Sequence, residues 1–369
     1  MALETAKIGI IGCGNIMYAY ASARDRFDIL DIVACADLLP ERAQAKAEEF
    51  NIPKACTVDE LLADPDVEIV VNLTVPKVHA QIALATIEAG KHAYSEKPLA
   101  VTREDGRKLL AAATEKNLRV GCAPDTFMGA GGQTCRKLID DGWIGRPIGA
   151  SAYMMGHGPE RWHPDPDFFY HTGAGPLFDM GPYYLTALTN LLGATDSVAA
   201  SATISFPERI IGSQPHYGEI IHVDTPTHVN GILQFAGGAV GTICTSFDVW
   251  GSTHVPIEIY GTEGSMTVPD PNTFGGTIRV KRAEHENWTD VPFTHGYSEQ
   301  NRGIGVADMA YAIRSGRPHR ASGAMAFHVL DIMHSLYDAS EQRQTVELSS
   351  QVERPAALPV GLRPGTLDE

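Results

Sequence analysis

The chain has 369 residues, 44% of them hydrophobic and 20% charged, with a formal net charge of −16 at pH 7. That balance describes a globular chain long enough for two domains and excludes intrinsic disorder. A balance this acidic also argues against nucleic acid and anionic membranes as partners, because a phosphate backbone requires a basic footprint.

The chain opens on Lys7-Ile8-Gly9-Ile10-Ile11-Gly12-Cys13-Gly14-Asn15-Ile16. An apolar β-type run stops at a glycine-rich turn and a helical segment follows. The next apolar run, 31–36, ends at an acid, Asp37. This arrangement builds a dinucleotide site. Glycines let the backbone approach a pyrophosphate, the helix N-terminus offers N–H groups, and the carboxylate takes the ribose hydroxyls. Gly12, Gly14, Asn15, Ile16 and Asp37 are the expected cofactor residues. Met17 stands where the fingerprint has a third Gly or Ala, which predicts a slightly wider helix–sheet spacing rather than a lost site.

Further strand-like runs fall at 68–74, 91–94 and 118–122, and helical stretches at 15–25, 40–50, 57–63, 77–89 and 102–116. Alternation of β and α predicts a doubly wound parallel sheet of Rossmann type over residues 1–124, with ligands at the carboxyl ends of its strands. After Pro124 the pattern changes. Helix is expected at 131–141, 176–192, 303–315 and 323–340. Long β-type runs occupy 147–155, 197–206, 227–236, 238–248, 255–260 and 277–282. Consecutive hairpins predict a second region, 125–369, built as an open, mostly antiparallel sheet with helices on one face. The overall class is therefore α/β plus α+β. The other face of that sheet leads to the expectation of a homodimer or homotetramer packed through it. Proline-rich residues from about 350 read as an extended arm over the surface or a neighbouring subunit.

Six scattered cysteines, with no CxxC, read as buried thiols in a reducing compartment. The N-terminus enters the first strand directly and no apolar run approaches membrane length, so a cytoplasmic location is expected. The histidines at 157, 163 and 171 show no helical metal spacing, so no metal is expected.

Tyr94-Ser95-Glu96-Lys97-Pro98 closes a strand of the first sheet. A lysine there is ordinarily a solvated charge. Glu96 beside it and Pro98 fixing the backbone point instead to a ligand-facing Lys97.

Taken together, the glycine turn, Asp37, Val75-Pro76-x-x-His79, Glu96-Lys97-Pro98 and Gly173-Ala174-Gly175-Pro176-Leu177-Phe178-Asp179-Met180-Gly181 resemble the Gfo/Idh/MocA oxidoreductases over essentially the whole chain. The resemblance implies a nicotinamide cofactor, a sugar or polyol substrate, Lys97 at the reacting centre and Asp179 nearby. Thr74, Pro76, His79, Glu96 and Lys97 would complete the cofactor site. The family's usual histidine four residues after the aspartate is Tyr183 here, which puts the usual Lys–His relay in doubt. One reading pairs Tyr183 with Lys97, the ammonium lowering the phenol's pKa so that Tyr183 takes the hydroxyl proton. In the other, Tyr183 is a packed helix residue and Lys97 alone is the base.

Asp37 repels a 2′-phosphate and is followed by two leucines, so NAD is favoured over NADP, with Arg42 as the one nearby cation. The aromatic segment 161–171 reads either as a packed loop or as a substrate loop. In the latter, Trp162, His163 and Tyr170 contact a sugar ring, with Tyr184 nearby. The leading function is an NAD-dependent dehydrogenase oxidising a secondary hydroxyl of a sugar, glycoside or cyclitol. The alternatives are redox-neutral glycoside cleavage with transient oxidation, and a non-enzymatic NAD-binding sugar sensor.

Overall fold

The computed structural model describes residues 4–368. The first sheet has six strands: β1 (Ala6–Ile11), β2 (Leu30–Ala36), β3 (Lys54–Cys56), β4 (Ile69–Asn72), β5 (His92–Ser95) and β6 (Val120–Cys122). All pair in parallel, in the order β3-β2-β1-β4-β5-β6. Every residue of β4 is buried, as expected for a central strand covered on both faces.

The crossovers carry α1 (Met17–Ala21), α2 (Pro40–Glu49), α3 (Val58–Ala63), α4 (His79–Glu88) and α5 (Arg103–Glu115). Local chemistry sets their starts. Thr57 and Glu60 form a reciprocal capping box on α3, and the Thr102 hydroxyl accepts from Asp105 N–H at the start of α5. The helix expected over 15–25 is divided. It leaves the α conformation after Ala21, and Ser22–Asp25 form a tighter 3-10 turn in which the Ser22 hydroxyl donates to the Tyr18 carbonyl at 2.7 Å. The edge strand β3 has three residues, too few to show any periodicity.

The second sheet has nine strands: β7 (Pro147–Met155), β8 (Thr195–Thr203), β11 (His228–Phe235), β12 (Val240–Ser246), β13 (Ile257–Gly261), β14 (Gly264–Val268), β15 (Ile278–Arg282), β16 (Thr289–Val291) and β17 (Val346–Glu347). A separate hairpin joins β9 (Glu208–Ile210) to β10 (Ile220–His222). The nine-stranded order is β16-β15-β14-β13-β7-β12-β11-β8-β17. Every pairing in it is antiparallel except β7 with β12, which is parallel. β11 alternates, with Val229, Leu233 and Phe235 buried and Asn230, Ile232 and Gln234 exposed. One face of this sheet is therefore open, and it presents Ile232 and Val240.

Five helices complete the fold: α6 (Ala130–Asp140), α7 (Gly175–Asp179), α8 (Gly181–Leu192), α9 (Ile304–Ser315) and α10 (Gly323–Gln342). α8 and α10 cover the second sheet. Leu185, Leu188, Val198, Leu233, Leu330 and Leu336 share one core there, each worth ~1.5–3 kcal/mol relative to exposure. α9 returns to the first sheet, where Ile304, Val306 and Met309 pack with Ile8, Ile10 and Phe27. Leu358 and Leu367 join that same core, so the arm beyond residue 350 lies along its own chain. No described helix is long and apolar enough to cross a membrane. The result is a crevice between the carboxyl ends of β4–β6 and the helices on the second sheet, with the loop before α9 along one side.

Candidate active site

At the end of β1, Gly12 has φ +101°, and a Cβ there would lie 2.7 Å from the backbone carbonyl of Leu73. Only glycine fits that turn. A Cβ on Gly14 would meet nothing within 4 Å, so the loop faces open space where a pyrophosphate can approach. Asp37 is fixed at the tip of β2. Its carboxylate accepts from Cys13 N–H at 2.7 Å and from Leu39 N–H at 2.9 Å. A cavity of about 340 Å³ adjoins it, lined by Gly12, Gly14, Asp37, Arg42, Thr74 and Val75 among others. Glycine backbone, acid and cavity together fit an adenosine diphosphate moiety. Met17 is fully buried in the core beneath this loop.

The far end of the crevice begins at β5. Glu96 is buried. It accepts from the Tyr20 hydroxyl at 2.7 Å and from Lys97 N–H at 3.0 Å. This holds the backbone at Lys97 and sends its side chain across the crevice. Lys97 Nζ donates to the Asp179 carbonyl at 2.6 Å and to Asp179 Oδ1 at 2.8 Å. It lies 5.3 Å from the centre of the Tyr183 ring. Asp179 ends α7 and Tyr183 sits in the first turn of α8, so the break between these two helices sets the spacing of the two side chains. The Tyr183 hydroxyl is 3.5 Å from Arg302 Nη2, and the same nitrogen donates to Asn272 Oδ1 at 2.7 Å.

Electrostatics decide the protonation states. Burial works against the Lys97 charge, but the Asp179 carboxylate outweighs it and holds the ammonium well above the usual lysine range. Burial raises the Tyr183 pKa, and the opposing pull of Lys97 and Arg302 does not overcome it. The expectation that Lys97 brings this phenol below its ordinary value is thus corrected: desolvation is the larger effect. Both groups hold their protons at neutral pH. Nearby, Asp125 is buried at the end of β6 and accepts from Gly303 and Gly305 N–H at 2.9 and 3.0 Å. Burial pushes its pKa up to about 6.

Comparison with known proteins places this geometry. The family described as the oxidoreductase family with an NAD-binding Rossmann fold matches residues 6–123, and the GFO/IDH/MocA C-terminal domain matches residues 133–267. The chain belongs to the Gfo/Idh/MocA oxidoreductases. It is an oxidoreductase with an NAD-binding Rossmann domain. A 1,5-anhydro-D-fructose reductase from Ensifer adhaerens is 29% identical over 76% of this chain and 81% of its own. The scyllo-inositol 2-dehydrogenase (NADP(+)) IolW from Bacillus subtilis is 23% identical over 94% and 97%. A solved structure of levoglucosan dehydrogenase in complex with NADH superposes with a TM-score of 0.81 at 25% identity, covering 95% of this chain and 100% of that one.

Within this Gfo/Idh/MocA chain, Lys97, Asp179 and Tyr183 come together, while Gly12, Gly14, Asp37 and Thr74 line one cavity beside the glycine turn. Asn15 is exposed on the glycine loop, Ile16 caps α1, and Pro76 starts the turn before α4. Other expectations need correction. His79 is buried, and its two ring nitrogens face the carbonyls of Pro98 and Thr74 at 2.8 and 2.9 Å. It braces the two ligand-facing loops instead of reaching a ligand itself. Tyr170 is fully buried, with its hydroxyl on Glu160 and its ring packed on Phe247. Tyr184 is buried in the helical core of the second sheet. Neither ring has a face free for a sugar. The Trp162 indole is 69% exposed, with its ring face free, and His163 Nδ1 accepts from Asp165 N–H at 3.1 Å.

Arg302, Asn272, Asp125 and Tyr20 were not singled out from sequence. Each reaches the site from a distant segment, and the only local signal is the glycine pattern around Gly303-Ile304-Gly305 at the start of α9. For the cofactor, Asp37→Ala is expected to raise the NADP-to-NAD ratio of kcat/KM by about tenfold or more, by removing the charge opposed to a 2′-phosphate. An unchanged ratio would take Asp37 off the ribose edge.

Proposed function

We propose that the chain is an NAD-dependent dehydrogenase oxidising a secondary hydroxyl of a sugar, glycoside or cyclitol. The observation that carries this reading is Lys97 Nζ, held by Asp179 across the crevice at the carboxyl end of β5. Relatives named as a sugar reductase and an inositol dehydrogenase support a polyhydroxylated CH–OH donor. A bound nicotinamide would supply the acceptor for the hydride of the carbinol carbon. Gly12, Gly14 and Asp37 seat its nucleotide half, and Glu96 holds the turn that presents Lys97.

Lys97 grips the substrate oxygen, and Asp179 fixes the ammonium against the loss of solvation that burial imposes. As the hydroxyl becomes a ketone, its proton passes to the minor fraction of the Lys97–Tyr183 pair that has lost one. In the reverse direction the same pair, already protonated, donates to the ketone oxygen. On this reading residues up to 124 serve the cofactor and later residues serve the substrate. The open face carrying Ile232 and Val240 is the surface for self-association.

The test is NADH formation across a panel of monosaccharides, glycosides and inositols. One NADH per ketone formed is the expected result. Product released without NADH accumulation, or no turnover across the panel, would overturn it.

A further inference from the structure

The Lys97–Asp179–Tyr183 group has a neighbour that oxidation of a neutral hydroxyl does not require. Arg302 stands in the loop before α9, and its carbonyl is held by Arg26 Nη2 at 2.9 Å. The two amide bonds to Asp125 fix the following residues, so the base of the side chain is anchored on both sides. The guanidinium is half-buried. Its Nη2 donates to Asn272 Oδ1 at 2.7 Å and lies 3.5 Å from Tyr183 Oη, and its Nη1 donates to Gln300 Oε1 at 3.2 Å.

All three of these acceptors are neutral. No described aspartate or glutamate forms an ion pair with Arg302. Asp125 and Glu96 act on it from farther away, but their contacts go elsewhere: Asp125 to the amides of α9, Glu96 to Tyr20 and the Lys97 backbone. Of five guanidinium N–H groups, at least two have no acceptor among the described residues. The residue is thus oriented by neutral groups, with no carboxylate in direct contact among the described residues. A partly desolvated arginine in that state suits a ligand carboxylate, which can accept two N–H bonds at once.

We propose that Arg302 is the receptor for a carboxylate on the substrate, making the preferred substrate a sugar acid rather than a neutral ring. The proposal rests on the dehydrogenase reading and narrows its substrate class. Lys97 lies over the face of the Tyr183 ring and Arg302 lies at its hydroxyl. A single six-membered ring can therefore offer a hydroxyl to one cation and a carboxylate to the other. Glu96, Asp125 and Asp179 around the crevice disfavour a doubly charged phosphate ester in the same place.

The experiment compares D-glucuronate, D-galacturonate and D-gluconate with their neutral counterparts, the methyl ester of glucuronate and glucose 6-phosphate. NADH formation and calorimetric binding to the NAD-loaded enzyme are read at fixed ionic strength. At least one sugar acid is expected to show a KM about tenfold or more below its neutral counterpart. Arg302→Gln is expected to erase that preference, and Arg302→Lys to retain part of it. Should Arg302→Gln fail to fold, the acid against its methyl ester on the unaltered enzyme decides. A lower KM for neutral sugars or for the phosphate, or a preference that survives Arg302→Gln, would overturn the proposal while the dehydrogenase reading stands. Arg302-dependent binding of an acid without NADH formation would do the reverse. If no sugar binds at all, both fall.

Discussion

Replacing Lys97 by methionine is expected to lower turnover by about 10³-fold or more, the scale of losing a positioned proton donor together with its charge. NAD binding, followed by fluorescence, should persist, because the glycine loop and Asp37 lie at the other end of the crevice. The substitution keeps the aliphatic stem, so packing against Tyr183 is largely retained. The pH dependence carries the sharper test. Lys97 and Tyr183 both have pKa values raised above their ordinary ones, so both remain protonated through neutrality. Oxidation needs a deprotonated acceptor, and that fraction grows about tenfold per pH unit below the pKa. Oxidation should therefore climb with pH through the neutral and alkaline range, while ketone reduction, which consumes the proton, stays level across neutrality. An oxidation rate that reached its plateau near neutral pH would place the base on some other group.

The second large effect is on stability. Asp308 on α9 is fully buried and pairs with both Arg317, at 2.7 Å, and Arg320. Arg317 also reaches Asp368, and Arg320 donates to the carbonyls of Ala356 and Ala357. This one carboxylate therefore ties α9 to the chain that follows it and to the C-terminal run. Asp308→Ala leaves two arginines without their shared partner and is expected to cost about 3–5 kcal/mol. The thermal midpoint should fall by roughly 5–10 °C, and Asp308→Asn should fall less because it keeps an acceptor. A midpoint unmoved by the alanine change would show that the arginines find other partners. Because α9 begins two residues after Arg302, this pairing also bears on the crevice.

The parts of the fold that were legible in advance share one property: their signal is local. Buried runs of four to seven residues alternating with amphipathic helices yield a parallel sheet whatever the rest of the chain does. β3, β9, β10, β16 and β17 escaped because two or three residues carry no period, and β14 escaped because Met266 and Val268 alone are too few apolar positions to stand out behind a turn. The division of the first helix was equally hidden, since a serine hydroxyl competing for a backbone carbonyl leaves no mark on the hydrophobic pattern.

The same distinction runs through the site. The order of residues alone determined the glycine turn, Asp37 at the tip of β2 and the lysine after β5, because each depends on a strand end and on spacing along the backbone. It also determined Asp179 and Tyr183 as members of one motif. Tertiary structure alone decided that Tyr170 and Tyr184 face inward, because an aromatic residue reads the same in a core as in a binding loop. It decided that Arg302, over a hundred positions from Tyr183, reaches that phenol while no described carboxylate forms an ion pair with it. It also decided that Tyr183 keeps its proton. The sign of that shift is a contest between a cation's attraction and the loss of water, and the extent of desolvation exists only once α8 is packed.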